Sequence, residues 1–154
     1  MGWNDRDGDT KRTRALVLRF SRPDGDKRTV SFPGGVDKSL VYILNKCLWH
    51  IDQKMGYTLH EGWCWGYSYR DIAGMDTLSY HGIGGGRAID INAPHNARGS
   101  RGDIPPSVVA YLEHHGFEWG GRWEYTDPMH FQATKTRLFY WRLARRMRRA
   151  EKHA

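Results

Sequence analysis

The amino-acid sequence predicts a single α+β domain, and three observations predict it. Two β-rich runs near the start are joined by a Pro-Asp-Gly turn signal, a stretch over residues 40–55 carries helical periodicity, and short strands and helices then follow in mixed order with no internal repeat. A chain of 154 residues is long enough to bury roughly two-thirds of its unfolded surface without disulfide or metal staples. Its 39% hydrophobic and 27% charged residues place it with globular rather than disordered proteins.

"ALVLRFS" and "RTVSF" flank "RPDGDK", so residues 15–32 read as a β-hairpin. "PGG" is expected to break the chain before a long helix, for which Asp37 is a plausible N-cap. Leu40, Ile43, Leu44, Cys47, Leu48, Ile51 and Met55 recur every three or four residues and mark its core face. Residues 57–104 are aromatic-rich and then glycine-rich, with short β-like pieces such as "RAIDIN". "PPSVVAYLEHHG" predicts a second helix, opened by Pro105 or Pro106 and closed by Gly116. "FEWGGRWEYTDPMHFQ" reads as strand, glycine turn and strand, and a third helix begins from Thr134.

Charge and apolar content exclude several classes. The net charge of +7 is concentrated: residues 134–154 hold eight basic groups against Glu151, and the other 133 residues carry 16 basic and 16 acidic groups. On a helical projection Arg142, Arg145, Arg146, Arg148 and Arg149 gather opposite Tyr140, Leu143, Ala144 and Met147. Such a helix either docks with a solvated basic face or attracts polyanions. A general nucleic-acid binder is disfavoured, because the chain outside this segment is neutral. No stretch approaches the roughly 20 apolar residues of a membrane span. The opening "MGWNDRDGDTKRTR" has no apolar run of a secretory signal, which predicts a cytoplasmic protein. Cys47 and Cys64 are too few for a disulfide framework, and Cys47 reads as a core residue.

Hydrolysis at a zinc ion needs three nitrogen or oxygen ligands, an open position and a nearby carboxylate to take a proton from water. His81 and Asp90 lie in "LSYHGIGGGRAIDIN", where the intervening glycines leave the backbone free to bring both side chains to one point. His130 lies in "DPMHF", where strand alternation is expected to send Met129 and Phe131 to one face and His130 to the other. Pro128 biases Asp127 away from helix, so Asp127 must sit in a bend at the strand's entrance if it is to share a cavity with His130. A His-Asp pair with a distant third His also arises by chance, so the residues alone leave the site open.

"GYSYRDIAGMDTLSYHGIGGGRAIDIN" followed by "GFEWGGRWEYTDPMHFQ" resembles the zinc D-alanyl-D-alanine carboxypeptidase and L-alanyl-D-glutamate endopeptidase family, the VanY-like cell-wall peptidases of the Hedgehog/DD-peptidase fold. Phage endolysins are common members. The resemblance spans roughly residues 66–132 and implies a small antiparallel sheet with packed helices around one Zn2+. It implies that His81, Asp90 and His130 bind the zinc, that Asp127 is the general base, and that Arg70 in "YSYR" steadies the oxyanion. Ser79 would help position substrate. Trp119 and Trp123 read as core or loop anchors that also flank the site, where they would line it for substrate. Two departures stand out: eight residues separate His81 from Asp90 where the family usually has six, and Gln132 stands where a glutamate commonly follows the His-Phe.

The remaining candidates have plainer readings. His114 and His115 suit a helix C-terminus, His95 a loop surface, and Trp63 and Trp65 core or loop anchors. His60 and Cys64 have ligand-like spacing but no partner pair. The expectation is therefore a zinc peptidase domain over residues 1–133, with residues 134–154 a basic amphipathic helix that is part of the same domain or a tail. It would hydrolyse an amide bond in the peptide stem of bacterial peptidoglycan as a monomer and as an endolysin. In that role it would wait in the host cytoplasm for release to the wall, its basic helix meeting anionic wall polymer or lipid. The rival readings are a virion-associated lysin and a non-catalytic wall- or polyanion-binding module on the same fold.

Overall fold

The computed structural model describes residues 10–25, 27–68 and 79–154. Among them the chain forms two antiparallel sheets and three α-helices, in the order β1 (Thr13–Ser21), β2 (Lys27–Asp37), α1 (Val41–Gln53), β3 (Ala88–Asp90), α2 (Pro106–His114), β4 (Phe117–Trp119), β5 (His130–Ala133) and α3 (Arg137–Lys152). This is the mixed α+β arrangement expected. Leu16, Leu18 and Phe20 on β1 and Val30 and Phe32 on β2 are buried while their neighbours face outward, the period of two that a half-buried hairpin requires. That face packs on Ile43, Leu44, Cys47, Leu48 and Ile51 of α1.

The hairpin runs beyond the expected 15–32. Pro33-Gly34-Gly35 does not break the chain; β2 continues past an irregularity opposite Arg14–Leu16, and Val36 and Asp37 pair with Arg14 and Thr13. Asp37 is consequently not the helix N-cap. Leu40 occupies that position without a side-chain cap, and the helix stops at Gln53 rather than reaching Met55.

Asp37 instead becomes a fully buried junction. Its Oδ1 accepts from the backbone and hydroxyl of Ser39 at 3.0 and 2.8 Å, and its Oδ2 accepts from Gly85 N at 3.1 Å. Arg12 and Arg137 close the charge at 3.2 and 3.1 Å. Burial opposes ionisation of Asp37, but the Ser39 and Arg12 hydrogen bonds and the Arg137 charge outweigh it and hold the carboxyl below its ordinary range.

The second sheet, ordered β3-β5-β4, carries Asp90 and His130. Phe131 and Ala133 of β5 and Ile89 of β3 enter the core, and α2 packs against β4 through Val108, Val109 and Leu112. His115 ends α2 with its Nδ1 2.7 Å from the Tyr111 carbonyl, the capping use expected of that residue. Helix α3, capped by Thr136 Oγ1 accepting from Phe139 N, lies against α1. Tyr140 and Ala144 are buried beneath it, and the Tyr140 hydroxyl donates to Gly116 O at 2.6 Å. Glu151 pairs with Tyr42 and Lys46 of α1, leaving Arg142, Arg145, Arg146, Arg149 and Lys152 exposed without an acid among them.

Candidate metal centre

Three elements deliver three side chains to one point. Asp90 closes β3 and His130 opens β5, and the two are direct partners in the antiparallel register, so their side chains leave the same face. His81 arrives from a 3-10 turn over Tyr80–Gly82, whose entrance is capped by Ser79 Oγ accepting from His81 N at 3.3 Å. Positive φ at Gly84 and Gly86 lets the connecting loop turn back sharply, and Gly85 and Gly86 tie it to Asp37. The longer spacing between His81 and Asp90 thus serves a loop stitched to the hairpin and, through Asp37, to α3.

His81 Nε2, Asp90 Oδ1 and His130 Nδ1 stand 3.2, 3.1 and 3.5 Å from one another. A tetrahedral zinc site with ligand bonds of 2.0–2.1 Å has edges of about 3.3–3.4 Å, so the spacing is that of three corners of one coordination sphere. The protonation pattern points the same way. His81 Nδ1 lies 2.8 Å from Gly66 O and His130 Nε2 lies 2.8 Å from Gln132 Oε1; both partners only accept, so each ring carries its proton on that outer nitrogen. Both inner nitrogens then present lone pairs. Asp90 Oδ1 faces the same point, 3.2 Å from His81 Nε2 and 3.5 Å from His130 Nδ1. Two lone pairs and an anion facing one point need a cation between them, and one proton cannot satisfy all three.

Gly66 earns its place by closeness of approach. A Cβ there would stand 2.2 Å from Gly35 O, because residues 33–35 and 66–67 run backbone against backbone, with Gly66 N donating to Pro33 O and Tyr67 N to Gly35 O. That contact fixes the carbonyl that orients His81.

Asp127 sits in the turn leading into β5, with its carbonyl accepting from His130 N at 3.1 Å and its N–H donating to Gly120 O at 2.8 Å. The bend expected from Pro128 is therefore present. Asp127 Oδ1 is buried with no hydrogen-bond partner among the described residues. Burial pushes its carboxyl above the ordinary range and the Asp90 charge adds to this, against His130, Arg98 and His81. Asp127 lies within electrostatic reach of His81, Asp90 and His130, and a buried carboxylate oxygen left unpartnered there suits a proton acceptor for water. The cysteines offer no competing nucleophile, since burial pushes Cys47 up to about 12 and Cys64 up to about 11.

A cleft of about 470 Å³ opens onto the cluster, lined by Pro33, Trp65, Tyr67, Ser68, His81, Asp90 and Met129 among others. Residues 73–133 match the family described as D-alanyl-D-alanine carboxypeptidase. The match covers roughly two-fifths of the chain, contains the three clustered residues and Asp127, and ends with β5. No curated protein and no solved structure matches. Family match and metal-capable cluster together support a zinc-dependent peptidase of this general type.

The other site expectations fare differently. Arg70 lies outside the described residues. Ser79 is buried, and its hydroxyl serves the backbone of His81 rather than appearing among the cleft residues. Trp119 donates from Nε1 to Pro128 O and stacks on Phe131, so it braces the turn before His130. Trp123 lies 5.2 Å from the His130 ring and donates to Glu118 Oε1. Met129 does not join Phe131 in the core; it precedes β5, where strand alternation has not begun, and lines the cleft. Trp65, expected as an anchor, is 48% exposed on the cleft wall and bridges Asp90 through both backbone hydrogen bonds. Its neighbour Cys64 is buried while Trp65 faces outward from the bridge to Asp90. His60 packs at a tilt on Trp63 and stays apart from the cluster.

Proposed function

We propose that the protein is a zinc peptidase that hydrolyses an amide bond in the peptide stem of bacterial peptidoglycan, acting as an endolysin. The observation that carries this reading is the convergence of His81, Asp90 and His130 at tetrahedral-edge distances, beside the unpartnered oxygen of Asp127. A set of two neutral imidazoles and one carboxylate with an open side suits catalytic zinc.

The two histidines and Asp90 would hold the ion. When bound, zinc polarises the scissile carbonyl and acidifies water. Asp127 takes the proton of the attacking water on Oδ1 and returns it to the leaving amine nitrogen. Its raised proton affinity helps on both counts, since a base nearer neutrality also serves as the later acid. Trp65, Tyr67 and Met129 form the wall against which the stem peptide lies, and Arg70 is the proposed cation for the developing oxyanion. The exposed basic face of α3 is proposed to meet anionic wall polymer. Among the described residues no helix is long and apolar enough to cross a membrane, and host cytoplasm before lysis is the proposed location of a monomer.

Mass spectrometry of purified peptidoglycan incubated with the protein, with chelator and after zinc readdition, tests the reading. Zinc-dependent fragments are expected, and their new termini name the bond. Intact peptidoglycan with folded, zinc-loaded protein would favour the binding module instead.

A further inference from the structure

The outer nitrogen of His130 leads away from the cleft along a chain of side chains that no part of the mechanism uses. His130 Nε2 donates to Gln132 Oε1 at 2.8 Å, Gln132 Nε2 donates to Glu118 Oε2 at 3.1 Å, and Trp123 Nε1 donates to Glu118 Oε1 at 3.1 Å. The backbone builds this arrangement: His130 and Gln132 are two apart on β5 and share a face, and Glu118 on β4 is the direct cross-strand partner of Gln132.

A glutamine amide fits its slot either way round, and the two orientations have opposite consequences. With oxygen toward His130, the ring keeps its proton on Nε2 and offers the Nδ1 lone pair to the cluster. With nitrogen toward His130, Nε2 must accept, the proton moves to Nδ1, and the ring cannot bind a cation. Gln132 cannot make this choice itself. Glu118, a carboxylate that only accepts, draws the NH2 group to its own side.

We propose that Glu118 is a positioning residue for metal binding: it sets the zinc affinity of a site it does not touch by fixing the Gln132 amide, with Trp123 anchoring its second oxygen. This rests on the zinc reading above. It also gives Trp123 a role in support of the site rather than in contact with substrate.

The test is a double-mutant cycle on the full chain, read as the Zn2+ dissociation constant in competition with a chromophoric chelator. Gln132→Met removes the acceptor and is expected to weaken binding about 10- to 100-fold. Glu118→Met, at an exposed position where folding is secure, is expected to cost about tenfold when residue 132 is glutamine. In a Gln132→Glu background the same Glu118→Met change is expected to cost nothing, because a carboxylate accepts from His130 in either orientation. Equal losses in both backgrounds would mean that Glu118 acts only through its charge, and unchanged affinity in Glu118→Met would mean that it does not act at all; either overturns the proposal. Failure of the unmodified protein to bind one zinc would overturn the zinc reading beneath it, a result distinct from both.

Discussion

Replacing Asp127 by asparagine should destroy activity and stabilise the metal-free protein at the same time. The activity term follows from its place. General-base catalysis contributes about 10²- to 10⁴-fold, so kcat should fall by that factor, about 3–5 kcal/mol in the barrier. Zinc content should stay at one per chain, since the clustered ligand atoms come from His81, Asp90 and His130.

The stability term follows from burial. Asp127 holds its proton more tightly folded than unfolded, so its contribution to stability is greatest at low pH and is lost as pH rises above the ordinary carboxylate value of about 3.9. At pH 7 the charged side chain with its unpartnered Oδ1 opposes folding. A buried unsatisfied polar group costs about 1–3 kcal/mol. Asparagine removes the charge but keeps the shape, so we expect a gain of about 1 kcal/mol, or roughly 2–4 °C in Tm for a chain of this length. The assays are hydrolysis of a synthetic stem peptide, zinc analysis, and thermal melting in chelator. Activity within threefold of the parent would remove Asp127 from the chemistry, lost zinc would make it a ligand, and a lowered Tm would refute the account of its buried oxygen.

Other consequences are equally open to measurement. Gly120→Ala would place a Cβ 2.5 Å from Asp127 O, so kcat should drop at least tenfold with zinc binding preserved, a split visible by comparing kinetics with metal titration. Asp37→Asn leaves Arg12 and Arg137 facing a neutral group in the interior and should cost about 3–5 kcal/mol in urea unfolding at pH 7. Because the folded Asp37 carboxyl is depressed, the parent should hold this stability above about pH 3.9 and lose it as pH falls through the folded value, a slope the variant should lack. Zinc at 100 times its dissociation constant should stabilise the chain by about 2.7 kcal/mol, raising Tm by roughly 5–10 °C, and chelator should reverse it. Trp65→Ala should leave Tm nearly unchanged, since the ring is 48% exposed, but raise KM for stem peptide about fivefold or more.

What could be read from the sequence was what local pattern controls. The amphipathic period of α1, the proline and glycine that bound α2, and the bend that Pro128 forces on Asp127 are decided within a few residues, and the fold follows them. Asp37 shows the limit. Three residues before Leu40 it has the spacing of an N-cap, but Gly34 and Gly35 tolerate a backbone contact that carries β2 onward, and a partner 100 residues away then claims the carboxylate. Ser79 and Trp65 were hidden for a similar reason, since whether a side chain faces a cleft or a backbone N–H depends on a strand pairing that neighbouring residues do not specify.

The site itself is held mainly by backbone, which explains how so small a sheet can keep three side chains in register. Asp90 and His130 are fixed by a ladder and His81 by a carbonyl that two glycine-bearing segments press into place. Only the remaining freedoms fall to side chains: the rotation of His130 to Gln132, and the reach of the His81 loop to Asp37 through Gly85 and Gly86. The same Asp37 receives Arg137 at the start of α3. The first turn of the basic helix is therefore bound into the support of the clustered His81, Asp90 and His130, whereas its exposed arginines are not. Neutralising Arg142, Arg145 and Arg149 together should weaken binding to isolated walls at low salt while leaving hydrolysis of a soluble stem peptide unchanged. Arg137→Ala should lower thermal stability and zinc affinity together. If the outer arginines altered soluble turnover as strongly as wall binding, this division of the helix between support and contact would be wrong.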